Sequence, residues 1–194
     1  MRDAGRPNDL AGAVLALLRL QRGSQISSNH IHFFISYIVA FLAFALIGRW
    51  YIWPAIRDRV LAVALSPLLL YACLRVNGLM FLMPGLVSPD LPRAFAVPTA
   101  YGDLTAAVLA LLTLAALRGG SPLGLPMVWL INVVGFLDLT YANLATFTAN
   151  VDPAQLGVSY YLAVVNVPAM LVVHVIIFIY LLRRQPSGSL QTAS

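Results

Sequence analysis

Five long apolar stretches, roughly 31–53, 60–84, 98–117, 123–147 and 157–182, decide what this chain can fold into. About 20 apolar residues wound as a helix cross a hydrocarbon core. Runs of this length read as transmembrane helices. The expected fold is an all-α integral membrane protein, a bundle of about five transmembrane helices forming one domain over 31–182. Composition agrees. Of the 194 residues, 60% are hydrophobic and 10% charged, with a mean hydropathy of +0.85, whereas a soluble domain carries about 25% charged residues. Trp50, Tyr51 and Trp53 close the first stretch, and Tyr160, Tyr161 and Tyr180 flank the fifth. Amphipathic rings settle at such interface positions.

The ends differ from the spans. Residues 1–30 combine a polar tail with the short apolar run "LAGAVLALLRLQR" at 10–22. That run ends in Arg19 and Arg22 and lacks a small-residue cleavage site, which favours an interfacial helix over a signal peptide. Ser28 or Asn29 is the expected N-cap of the first span. Residues 183–194 read as a disordered tail. The proline-broken segment 84–98, too apolar for a free loop, reads as a structured cap at the membrane surface.

Net charge is +5, from twelve arginines and seven aspartates, with no lysine and no glutamate. Arg49, Arg57, Arg59, Arg118, Arg183 and Arg184 would share one side of the bilayer, close to span ends. Arg2, Arg6, Arg19, Arg22 and Arg93 would share the other. Proximity to span ends marks the first set as cytoplasmic, placing the C-terminus inside a cell (inner) membrane. Arginines so placed meet lipid headgroups. No basic run alternates with aromatics, so nucleic acid is not an expected partner. Without lysine there is no Schiff-base chemistry, and Cys73, the single cysteine, excludes a thiol relay within the chain. P-loop, GxSxG and HExxH patterns are missing from the sequence.

Arg75 is the anomaly, because a charge near the bilayer centre costs about 2.5–3.5 kcal/mol even on lenient insertion scales. Counting from span ends at helical rise puts Arg75 ~13 Å below the cap side, with Asp138 and Asn166 at similar depth and Asp103 ~8 Å in. Asn77 and Asn143 fall slightly outward of Arg75 and Asp138. Arg75 is therefore expected to pair with Asp138, Asp103 or both, in a buried polar cluster with Asn166, Asn77, Asn132 and Asn143. Pro168 in span five and Pro67 in span two would break helix hydrogen bonding nearby, as at many membrane binding sites. The alternative is a packing latch that holds helices together. Gly102, Ala106 and Ala110 form a small-residue stripe that permits close helix approach in either case.

Arg75 with Gly78 and Phe81, "FAVPTAYGDL" at 95–104 and "WLINVVGFLDL" at 129–139 resemble motifs of a family of small bacterial multi-span membrane proteins. Members carry R-x-x-G, FA-x-P-x-x-x-GD and W/N-x-x-G-x-x-DL segments. The resemblance covers spans two to four and carries no established activity. It implies that Arg75, Asp103, Asn132, Gly135 and Asp138 belong to one feature.

Sharper chemistries fit poorly. His32 and His174 lie ~20 Å apart in depth at helical rise, too far for one haem iron. The remaining haem expectation is a half-site at His174 completed by a partner subunit; otherwise no cofactor beyond lipid is expected. An intramembrane aspartyl protease would need glycine where Ala100 stands in "AYGD". Ser159 and His174 are ~22 Å apart along one helix. Three classes remain: a non-catalytic subunit or assembly partner of a membrane complex, a small proton- or cation-coupled carrier, and a membrane enzyme acting on lipid. The first leads; the expected protein partners are other membrane subunits or further copies of the chain, and isolation as a homo-oligomer would favour the other two classes.

Overall fold

Proline positions set the breaks in an otherwise helical chain. The computed structural model describes residues 7–183, and the described residues are helical with no β-strand. Residues Arg2, Arg6, Arg184 and the tail 184–194 lie outside them. The first helix, α1, runs Pro7–Ile47 and passes through a π-helical segment, Gly48–Ile52, into the short α2, Trp53–Ile56. Helix α3 spans Leu61–Cys73 and continues as a 3₁₀ segment, Leu74–Leu82. Helices α4 (Arg93–Arg118) and α5 (Gly124–Thr148) follow. A 3₁₀ segment, Pro153–Ser159, and a π segment, Leu162–Asn166, lead into α6, Val167–Arg183.

Both π segments end two residues before a proline, Pro54 in one case and Pro168 in the other. A proline ring clashes with the carbonyl four residues earlier, here Trp50 and Val164, and supplies no N–H. Widening the preceding turn to i→i+5 bonding relieves the clash without ending the helix. Pro67 and Pro98, by contrast, sit inside α3 and α4 with no π segment beside them.

Five helices are long and apolar enough to cross a membrane: Ser28–Ile56, Leu61–Leu82, Arg93–Arg118, Gly124–Thr148 and Leu162–Arg183. Two limits moved by five residues, with consequences for depth. The third span starts at Arg93, after Pro92, because Pro98 is absorbed within the helix. The fifth starts at Leu162, because the 3₁₀ segment before it belongs to the cap.

The N-terminal segment is not a separate interfacial helix. Nothing between residues 10 and 30 stops the winding, so α1 is continuous over 41 residues, and Ser28 and Asn29 lie within it rather than capping it. The Asn29 Nδ2 instead donates to Asp152 Oδ1 across 3.2 Å. Asp152 also accepts from Ala154 N and completes a capping box with Gln155.

The cap is built from two loops. Ser88 N donates to Gln155 O and Val158 N to Leu86 O, both at 2.9 Å, and Gln155 Nε2 reaches Asp90 O at 3.1 Å. Gly157 has φ +54°, and a Cβ there would strike the Leu86 carbonyl. Only glycine suits both demands.

Two apolar clusters fill the interior. One gathers Leu65, Leu68, Leu69, Ala106, Ala110, Ile131, Val173 and Ile177 at the end away from the cap. The other, with Phe81, Phe95, Ala100, Ala145 and Leu156, lies under the cap. Arg75, Asp103 and Asp138 fall between the two clusters in sequence on their helices, whereas His174 lies among the α6 members of the first.

Candidate functional site

The site begins with the 3₁₀ segment. In 3₁₀ winding, residues three apart eclipse one another. The buried residues of Leu74–Leu82 are Arg75, Gly78 and Phe81, a single straight row. Arg75 is 1% exposed. Its Nε donates to Asp103 Oδ1 at 2.8 Å and its Nη1 to the Gly135 carbonyl at 2.9 Å. Its Nη2 forms a short ion pair with Asp138 Oδ2. The same Nη1 lies 3.4 Å from His174 Nε2. Four acceptors from α4, α5 and α6 thus converge on one guanidinium, whose five donors form a planar fork.

His174 is held from both sides. Its Nδ1 is 2.8 Å from Asn132 Oδ1, while Asn132 Nδ2 donates to the His174 carbonyl at 3.2 Å. An arginine can only donate, so Nε2 accepts and the proton sits on Nδ1, where the amide oxygen receives it. Neutral His174 leaves the layer with one positive charge against two carboxylates. Both nitrogens of this ring, expected to offer a haem half-site with a partner subunit, are engaged within the chain, and the residue is 1% exposed. Its expected depth is corrected, since a fifth span that begins at Leu162 brings His174 level with Arg75. Asp103 is likewise ten residues into its helix, ~15 Å deep rather than ~8 Å.

Glycines make the layer possible. A Cβ on Gly78 would overlap the Asp103 carboxylate, and one on Gly102 the Asp138 carboxylate. At Gly135 it would stand 2.6 Å from His174 Cε1 and 2.9 Å from Arg75 Nη1. Each charged or ring group lies against the bare backbone of a neighbouring helix. The small-residue stripe marked close helix approach at Gly102, but not that a carboxylate would fill the space; for Gly78, three residues after Arg75, spacing gave no sign of its use.

Three expected members lie elsewhere. Asn77 is exposed on the outside of the 3₁₀ segment. Asn166 accepts from the Tyr71 hydroxyl at 3.0 Å instead of joining Arg75. Asn143 donates to the Leu139 carbonyl at 2.7 Å and, with Thr99 and Asp103, lines a cavity of about 30 Å³ that reaches Asp103 from the cap side. The Thr99 hydroxyl there is buried with no hydrogen-bond partner among the described residues. Pro168 is buried on α6 and Pro67 lies in α3, neither contributing a freed carbonyl to Arg75. Among the described residues, no group of three His, Cys or Asp side chains is disposed to hold a metal.

A family model described as a domain of unknown function, DUF8737, matches residues 32–182. The chain belongs to that family. The match takes in the first and fifth spans, beyond the segments on which the resemblance rested. No curated protein and no solved structure matches the chain.

Proposed function

We propose that the chain is a non-catalytic subunit or assembly partner of a membrane complex, a multi-pass protein of the cell (inner) membrane with its C-terminus in the cytoplasm. The Arg75 layer serves it as a latch, and α1 presents the face on which the partner sits. One observation carries this reading: only 6% of the first span's most apolar window is buried, against 33–50% for the other four. Ile31, Ile35, Ile38, Val39 and Leu42 all point away from the bundle. Lipid can cover such a face, and so can a second protein or another copy of this chain. The latch is closed, with both carboxylates turned onto Arg75 and only a cavity the size of a water molecule beside them.

Native mass spectrometry of protein extracted gently from its own membrane tests this. A stoichiometric partner, or a defined homo-oligomer whose cross-links map to α1, supports the reading. A monomer carrying lipid alone overturns it.

A second reading, a proton- or cation-coupled carrier, is favoured by the unequal charge count of the layer and by the small cavity that meets Asp103. Under it, Asp138→Asn abolishes transport in proteoliposomes while the protein accumulates and melts as the parent does. Under the latch reading, the same change lowers the melting temperature.

A further inference from the structure

At the end of the bundle opposite the cap, the chain leaving α1 packs tightly on α6 at Gly48. A Cβ on that residue would stand 2.8 Å from Ile176 Cδ1 and 3.2 Å from Val172 Cγ1. The π segment starts there, closed by the Trp53 N–H bonded to the Gly48 carbonyl. Its wide turn, followed by the α turn of α2, brings residues four apart onto one face. Arg49, Trp53 and Arg57 consequently line the same cleft, and Arg183 closes it from α6. The cleft holds about 450 Å³, and Phe41, Ala45, Val175 and Ile179 belong to its apolar part. Arg183 Cζ stacks 5.0 Å above the Trp53 ring.

Its charge is one-sided. An adjoining cleft shares Trp53, Arg57 and Arg183 and adds Arg59, Tyr180 and Asp58. Of the residues lining the two, four are arginines, and Asp58, paired with Arg57 at 3.0 Å, is the one acid. The Tyr180 hydroxyl pins this corner by donating to the Arg59 carbonyl at 2.7 Å.

We infer that the α1–α6 cleft binds one anionic phospholipid, with its phosphate between Arg49, Arg57 and Arg183 and an acyl chain in the apolar trough. This rests on the membrane placement proposed above and not on the subunit reading. Arginine forks match phosphate oxygens bidentately. Tryptophan is suited to headgroup depth. From Phe41 to Arg49 the trough runs ~12 Å at helical rise, and an acyl chain lies along such a length. A free phosphate would use the arginines and leave the trough empty.

The test uses the full chain purified in dodecyl maltoside, with palmitoyl-oleoyl phosphatidylglycerol, the matching phosphatidylcholine and inorganic phosphate as probes. Native mass spectrometry is expected to retain one phosphatidylglycerol per chain, and thermal melts to show stabilisation by that lipid alone. Arg49→Gln with Arg183→Gln should weaken retention at least tenfold. Arg118→Gln, which removes an arginine from the end of α4 outside the cleft, should leave it unchanged. If the double variant does not accumulate, Ile179→Trp fills the trough with every arginine intact and should also abolish retention. Equal retention of phosphatidylcholine, equal loss in Arg118→Gln, or displacement of the lipid by equimolar inorganic phosphate would each overturn the site. A protein that emerges without a partner yet keeps the lipid defeats the subunit reading and leaves this one standing.

Discussion

Arg75 and Arg183 carry the same guanidinium in opposite circumstances. Arg75 is 1% exposed and meets acceptors from three helices, while Arg183 is exposed at a helix end with a tryptophan ring as neighbour. Burial raises the stakes of every missing partner, because an uncompensated charge in a low-dielectric interior costs far more than one at the surface. The first arginine is therefore fixed by its partners and contributes to the fold. The second keeps its charge available to a ligand. Substitutions should separate the two accordingly.

Arg75→Leu should be the most damaging change. It strands Asp103 and Asp138 inside the bundle, and removing one partner of a buried pair typically costs about 3–5 kcal/mol. Failure to accumulate, or collapse of the melting transition in detergent, is the expected readout. Asp138→Asn keeps Arg75 with Asp103, and should cost about 1–3 kcal/mol through a weakened charged hydrogen bond. Joining it to Arg75→Gln should give a double variant more stable than the two single losses predict when added. Additivity within about 0.5 kcal/mol would break the latch. Gly102→Ala drives a methyl group into the Asp138 carboxylate, with an overpacking cost of about 1–3 kcal/mol. Arg183→Gln comes last, expected within about 0.5 kcal/mol of the parent in lipid-free detergent. A large loss there would erase the contrast between the two arginines.

Much of the polar layer was legible because charges are so scarce in the spans. Arg75, Asp103 and Asp138 had few alternative partners, and counting depth from span ends brought them together. Depth without direction misled at Asn77. Two residues beyond Arg75 is ~200° around an α-helix and ~240° around a 3₁₀ helix, the far side in both. His174 was misplaced by the five residues that the cap takes from the start of span five. The 3₁₀ segment itself left a trace: Arg75, Gly78 and Phe81 recur at intervals of three. In a long apolar run interrupted by few polar residues, that row is easily read as an α-helix. The closing of the cap by Gly157 on Leu86 pairs residues some seventy positions apart, which no local pattern announces.

The 3₁₀ segment also solves a problem of length. The second span has 22 residues, whereas α4, the helix it packs against most, has 26. Wound entirely as α-helix it would measure ~33 Å, short of the ~39 Å of α4. Thirteen residues at α rise and nine at the steeper 3₁₀ rise of ~2.0 Å give ~37 Å instead. Stretching replaces insertion: the chain reaches its cap on time, with no added residue to shift Arg75 out of register with the aspartates.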